Sequence, residues 1–174
     1  ILLVSGSNKK KNFDAINVLD KIKEEKNLKV KLGIAYNPYL NKYYKDIFER
    51  DRLHKKFSSG LINSIWFQYG TDLKVLQNEM TYIKNVTQNE KVNLFGSLLI
   101  PSKQFTARFK FRPWKGVQIS EKYLYSLDDF NDFTRDLVCF YKENNIIPLI
   151  ETDFASSEKL SSVYSFLEKR DNVF

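Results

Sequence analysis

The sequence predicts an α/β fold, namely a (β/α)8 barrel of the TIM type of which about five βα units are present. Three observations lead to it: five short apolar runs, amphipathic helical segments between them, and a repeat of roughly 30–45 residues. Runs rich in Val and Ile are typical of strands buried on both faces, and helical crossovers make such strands parallel. The five runs are Ile1–Val4, Val30–Ala35, Ile62–Phe67, Val92–Ile100 and Ile146–Ile150.

The number of strands is too small for a closed barrel. Eight strands close a barrel of this kind, and about 250 residues are typical. Five strands in 174 residues predict either an open sheet or a barrel whose first three βα units lie outside this sequence. The first run begins at residue 1 without a lead-in, which favours the second interpretation. We therefore expect residues 1–174 to form one domain, a partial barrel.

The first three helices are predicted by apolar residues spaced three and four positions apart. The first helix follows the turn Ser5–Asn8, the second covers residues 44–58 and ends before Gly60, and Thr71 and Asp72 cap the third. The apolar positions are Phe13, Ile16, Val18, Leu19 and Ile22 in the first helix and Leu73, Val75, Leu76, Met80 and Ile83 in the third.

Three further helices are expected in the second half of the chain, at Gln104–Lys110, Asp128–Glu143 and Ser156–Lys169. The segment Lys103–Gly116 alternates basic and aromatic residues, a composition typical of surfaces that bind stacked bases and phosphates. The favoured interpretation is an amphipathic helix that buries Phe105 and Phe109 and ends at a corner over which Trp114 packs. A third interpretation is that Arg108 or Arg112 holds an anionic ligand at the mouth of the barrel.

Composition limits the kind of protein. The net charge of +7 favours anionic ligands, and a phosphate-bearing cofactor satisfies it as well as a polynucleotide does. No apolar stretch approaches the roughly 18 residues of a membrane helix. One histidine, His54, and one cysteine, Cys139, are too few for a zinc cluster, so no metal site is expected. A single cysteine fits a reducing compartment, so we expect a cytoplasmic protein without a membrane partner.

Several strand ends carry short motifs in a characteristic order. They are Ser5-Gly6-Ser7, Ala35-Tyr36-Asn37-Pro38, Trp66-Phe67-Gln68-Tyr69 and Leu99-Ile100-Pro101. The order resembles the methylenetetrahydrofolate reductase family, whose corresponding motifs are Arg-Gly-Asp, Ala-Tyr-Pro, Thr-Gln-Phe-Phe and Ile-Leu-Pro. That family is a flavin-dependent (β/α)8 barrel, and the resemblance covers its carboxyl-terminal five-eighths. It implies a divergent member of the family.

The resemblance implies FAD as the cofactor. In the family the flavin lies across the mouth of the barrel, so Gly6 and Ser7 would approach it closely and Tyr36 would pack against it and donate its hydroxyl. Lys55 and Lys56 match basic residues near the pyrophosphate, although a solvated helix face explains these two lysines equally simply. Ser7 replaces an acid whose charge influences the flavin, which implies an altered redox potential.

The substrate side departs from the family. The positions that contact folate there correspond to Phe67, Ala107 and Ala155, with Gln68 as a substitute for Phe67 after a slip of one residue. The catalytic acid of the family belongs to the first strand of the barrel, which the resemblance does not reach, so no catalytic residue is assigned. The expected substrate contacts are Gln68, Gln104, Arg108 and Glu151.

Three functions follow, in decreasing order of preference. The first is a flavin-dependent oxidoreductase of one-carbon metabolism that acts on a small molecule, folate-like or altered, so an enzyme is favoured. The second is a non-catalytic barrel subunit or interaction protein that keeps the fold. The third is a nucleic-acid-binding protein that uses residues 108–115. The sequence leaves open whether copies of the chain associate into a homo-oligomer.

Overall fold

The structure, a computed structural model, describes residues 1–5, 14–25, 30–40, 48–87, 91–151 and 157–168. The strands are β1 (Leu2–Leu3), β2 (Leu32–Tyr36), β3 (Ile62–Phe67), β4 (Asn93–Leu99) and β5 (Ile146–Glu151). The helices are α1 (Ala15–Glu24), α2 (Glu49–Phe57), α3 (Leu73–Thr87), α4 (Lys103–Phe111), α5 (Glu121–Tyr125), α6 (Leu127–Glu143) and α7 (Ser157–Glu168).

The five strands form one sheet in chain order, β1-β2-β3-β4-β5, and every neighbouring pair is parallel. This confirms the predicted parallel βα arrangement, and each apolar run of the sequence contains one strand. Within the described residues, β1 pairs only with β2 and β5 only with β4, so the sheet has two open edges. None of the helices in this part of the chain has the length and hydropathy that a membrane-spanning segment requires.

Polar side chains set the beginnings of several helices. The Asp14 carboxylate accepts the Ile16 amide at 3.1 Å, and the Ser102 and Ser126 hydroxyls accept the amides of Phe105 and Asp129 at 3.0 and 3.2 Å. Each of these bonds satisfies an amide that has no partner within its own helix. The predicted cap of α3 is also present, because Asp72 Oδ1 accepts the Val75 amide at 3.0 Å. The sequence thus places helix starts to within a few residues.

The two faces of the sheet differ in their surroundings. Side chains alternate between the faces along each strand. Ile34, Ile65 and Leu98 point to the side where the helices pack and are completely buried. We call this side the helix face. The opposite side carries Ala35, Trp66, Phe95 and Leu149 and is called the cleft face, since these residues line a large cleft.

Gly96 makes room for a helix on the helix face. The Tyr141 side chain of α6 crosses β4 at this point and donates its hydroxyl to the carbonyl oxygen of Ser97 at 2.9 Å. A Cβ atom on Gly96 would come within 2.6 Å of the Tyr141 hydroxyl oxygen and overlap the ring. Because Tyr141 is 3% exposed, the ring has no free space into which it could move.

We therefore expect Gly96→Ala to lower the free energy of unfolding by about 1–3 kcal/mol, the usual cost of overpacking a core. Urea denaturation followed by circular dichroism measures this change. The control is the same substitution in a Tyr141→Leu background, where the shorter side chain removes the overlap and the added cost of Gly96→Ala should shrink. Equal costs in the two backgrounds would contradict the packing explanation.

The second half of the chain contains one element that the sequence pattern did not predict. The short helix α5 lies between α4 and α6 in a stretch for which no helix was expected. The other differences are shifts of helix and strand ends. The start of the second predicted helix, at residues 44–47, lies outside the described residues, as does Phe13 of the first.

Candidate ligand-binding cleft

The principal cleft lies over the cleft face and the carboxyl ends of the strands, with a volume of about 930 Å³. Parallel α/β folds bind their ligands at this end of the sheet. The strands contribute its floor, α2 contributes one wall, and the segment after α4 contributes part of the rim. Two of the exposed apolar side chains of the protein, Val4 and Leu149, belong to this lining.

Two stacked aromatic rings form the centre of the floor. Trp66 and Phe95 are register partners on β3 and β4, and their ring centroids lie 4.2 Å apart with planes inclined by 15°. The Trp66 indole N–H donates to the Ser64 hydroxyl at 3.0 Å, which holds the ring flat along its own strand. Both rings are half-buried, so part of the stacked pair faces the cleft.

Gly33 on β2 is required for this arrangement. A Cβ atom at position 33 would lie 2.6 Å from the Ser64 hydroxyl oxygen and 2.7 Å from the Trp66 indole nitrogen. Real Cβ atoms do not approach other atoms so closely. The glycine therefore leaves the space in which the indole ring lies across the neighbouring strand.

The α2 wall is cationic but internally paired. The Arg52 guanidinium lies 3.1 Å from a carboxylate oxygen of Asp14 and 3.7 Å from one of Glu49. The Lys56 ammonium donates to the carbonyl oxygen of Ala35 at 3.1 Å and lies 3.9 Å from Glu49. Lys56 is only 4% exposed, and its burial lowers the pKa of the ammonium group. Lys55, in contrast, is exposed on the same wall.

The segment between α4 and α5 is bonded to the carboxyl ends of β2 and β3. The Asn37 side-chain amide donates to the carbonyl oxygen of Gly116 at 2.7 Å, and the Thr71 amide donates to that of Gln118 at 2.9 Å. Gly70 and Gln118 also form a parallel bridge. These bonds bring Lys115 and Gly116 to the rim of the cleft, a placement that the sequence gave no means of predicting.

Tyr36 is a correction to the sequence prediction. Its hydroxyl donates to the Glu79 carboxylate of α3, so it is not available to a cofactor. The Arg50 guanidinium binds the same carboxylate through two nitrogens, at 2.7 Å for Nη2 and 3.1 Å for Nε. Burial and the bond to Glu79 raise the pKa of the Tyr36 hydroxyl far above its ordinary value of 10.0. The side chain is on the helix face, as its position two residues after Ile34 requires.

We expect this hydroxyl to make stability fall at alkaline pH. The unfolded chain releases the Tyr36 proton near pH 10.0, whereas the folded chain keeps it to a higher pH, so stability is lost as the pH rises above 10.0. The Tyr36→Phe variant should lose stability less steeply between pH 9 and 11.5 in urea denaturation, and at neutral pH it should be about 0.5–1.5 kcal/mol less stable.

Tyr125→Phe is the matched control for this experiment, since the Tyr125 ring is 71% exposed. Parallel pH profiles for the wild type and Tyr36→Phe would show that the Tyr36–Glu79 bond does not form in solution.

The structure brings together some of the predicted site residues and separates others. Lys55, Lys56, Gln68 and Glu151 all line the cleft, although Lys56 is buried against its own chain. The Gln68 side-chain oxygen accepts the Tyr69 amide at 3.0 Å, which orients the side chain at the end of β3. Gly6 and Ser7 lie outside the described residues.

Gln104 and Arg108 are a second correction. Both are exposed on α4 and are absent from the cleft lining. The reason is helical geometry, because Phe105 and Phe109 are buried and therefore turn the residues preceding each of them outward. Of the family's folate positions, Phe67 is buried on the helix face, Ala107 is exposed on α4, and Ala155 lies outside the described residues.

Comparisons with known proteins agree on the fold alone. No protein-family model matches the sequence, and no curated protein matches it. One similar solved structure is an uncharacterized protein from Clostridium thermocellum that binds two copies of 5-methyl-5,6,7,8-tetrahydrofolic acid. The TM-score is 0.64 at 14% identity, over 93% of this chain and 60% of the other. The chain thus spans 60% of the length of that protein, and membership of the methylenetetrahydrofolate reductase family stays a prediction.

Proposed function

We propose that the cleft binds a folate-like small molecule, with a planar ring on the floor and an anionic tail at the α2 wall. The observation that carries the proposal is the stacked Trp66–Phe95 pair on the floor of a 930 Å³ cleft. Such a volume suits a ligand of this size, and ligand sites of this kind are mostly apolar with a few convergent polar groups. A protein of similar fold binds a methyltetrahydrofolate, which supports the proposal.

The ring of a folate requires both an aromatic surface and hydrogen-bond acceptors. An offset stack on Trp66 supplies the first, and aromatic contacts of this kind contribute about 0.5–1.5 kcal/mol each. Glu151, at the carboxyl end of β5, lines the same cleft and supplies a carboxylate that can accept two N–H groups of an aminopyrimidine edge. Gln68 lies at the end of β3 and presents a further amide to the cleft.

The tail of a folate carries carboxylates, and the cleft offers cations at its other side. Lys55 is exposed on the α2 wall, and Lys115 lies at the rim formed by the segment after α4. Both side chains project from backbone that is anchored to the ends of the strands. The division between an aromatic floor and a cationic rim gives the ligand one orientation.

The cleft face further supports a complete barrel. Ile147 and Leu149 on β5 are 49% and 41% exposed, and Leu2 on β1 is 41% exposed. Additional strands between the two sheet edges would bury these side chains, which is the usual arrangement inside a (β/α)8 barrel. We propose that residues 1–174 form one domain that contributes five of the eight βα units.

Flavin binding, and with it flavin-dependent reduction, stays a prediction from the family resemblance. Two of the five residues assigned to the flavin lie outside the described residues, and the polar groups of Tyr36 and Lys56 are bonded within the chain. The described residues therefore do not fit the flavin at these positions, and no reaction step is assigned to it. The absorption spectrum of the protein after incubation with FAD separates a reductase from a protein that only binds its ligand.

We expect titration with 5-methyltetrahydrofolate to change the tryptophan fluorescence of the protein through Trp66. The chain has two tryptophans, so each can be replaced in turn. Trp114→Phe should keep the response, because Trp114 is absent from the cleft lining, and Trp66→Phe should remove it. A response that persists in Trp66→Phe and disappears in Trp114→Phe would contradict the proposed site.

Affinity measured by calorimetry tests the polar contact. Loss of a hydrogen bond to a charged group costs about 1.5–3 kcal/mol, so Glu151→Gln should weaken binding about 10- to 100-fold. Asp128→Gln, an exposed acid outside the cleft lining, is the control and should leave the affinity unchanged. Equal affinities for the wild type and Glu151→Gln would remove Glu151 from the site.

A further inference from the structure

The positive charge of the chain is concentrated in one segment. Residues 91–120 contain six of the 28 Lys and Arg residues and none of the 21 Asp and Glu residues. The rest of the chain is therefore close to neutral, with a net charge of +1, and this segment carries nearly all of the +7. A concentration of this kind is the electrostatic footprint of a polyanionic partner.

The fold turns the charged residues of this segment outward. Phe105 and Phe109 anchor α4 in the core, so that Arg108 and Lys110 are exposed on the other side of the helix. Phe111 ends the helix with its ring 92% exposed, and Arg112 follows it, also exposed. A phenylalanine so fully exposed between two cations has no role in packing the described core.

Two further aromatic rings are held beside these residues. Trp114 is 48% exposed and meets Phe105 edge-on, with centroids 5.4 Å apart and planes at 74°. Tyr125 on α5 is 71% exposed, and the Lys110 ammonium lies 3.9 Å from the centre of its ring. Cations and rings thus lie together on α4, α5 and the segment between them. We call this the α4–α5 surface, made of Arg108, Lys110, Phe111, Arg112, Trp114 and Tyr125.

We propose that the α4–α5 surface binds single-stranded nucleic acid, in addition to the small-molecule ligand of the cleft. A single strand presents what this surface lacks, namely phosphates for the cations and open base faces for the rings. A duplex hides its base faces, and an acidic peptide has charges without rings. A bilayer would select aliphatic side chains, whereas the exposed apolar groups of this surface are aromatic.

Fluorescence anisotropy with a labelled 12-nucleotide oligouridine tests the proposal on the full chain. Base stacking on one aromatic residue corresponds to a loss of about 5- to 150-fold in affinity when that residue is replaced by alanine. Phe111→Ala should show such a loss, and Tyr164→Ala, which removes a 55% exposed ring from α7, should bind like the wild type. Because Phe111 is 92% exposed, its replacement should leave the fold intact, which circular dichroism verifies.

Salt dependence tests the contribution of the cations. Three phosphate contacts, made by Arg108, Lys110 and Arg112, give a slope of about −2 in a plot of log affinity against log salt concentration. Arg112→Gln should make this slope shallower, whereas Lys84→Gln, a substitution on the exposed side of α3, should not. Polyglutamate of equal charge and vesicles of anionic lipid serve as competitors.

Three results would overturn the proposal. They are absence of oligouridine binding at 50 mM salt, equal affinities for the wild type and Phe111→Ala, and equally tight binding of polyglutamate or anionic vesicles. The last result would assign the surface to polyanions or membranes in general. Binding of 5-methyltetrahydrofolate is measured separately in Phe111→Ala, so failure of this proposal and failure of the proposed cleft function remain distinguishable.

Discussion

Parallel pairing in register is the constraint on which the rest of the structure depends. It aligns Ala35, Trp66, Phe95 and Ile147 in one row across four strands, all on the same face of the sheet. A slip of one residue in any strand would move its member of the row to the helix face. Trp66 would then enter the helix-packed core, and the aromatic floor of the cleft would not exist.

Two buried charges show how this fold accommodates ionic groups next to its core. Glu79 is 4% exposed and receives hydrogen bonds from Tyr36 and Arg50, while Lys56 is 4% exposed beside Glu49 and a carbonyl oxygen. A buried charge without partners would cost several kcal/mol, so the partners are required for folding. Each charge lies against the last turn of β2, and the two networks together hold that strand end between α2 and α3.

The sheet was predictable from the sequence because apolar runs report burial directly, and all five runs contain strands. Which polar groups face the cleft was predictable only in part. Gln68 and Glu151 follow from their positions at strand ends. Tyr36 does not, since its acceptor Glu79 is 43 residues away on α3 and nothing in the local motif indicates it. Gln104 and Arg108 were assigned by alignment, and the helical face that buries Phe105 and Phe109 takes precedence over such an assignment.

The bonds that fix the segment after α4 have a consequence for how this sequence can diverge. Asn37 and Thr71 donate to main-chain carbonyl oxygens, those of Gly116 and Gln118, and the Thr71 hydroxyl accepts the main-chain amide of Ser120 at 2.7 Å. On the segment itself every bonded group is backbone, so most side chains there can be exchanged without loss of its position. Selection for new ligands can therefore act on residues 115–120 while two side chains elsewhere, at positions 37 and 71, preserve the architecture.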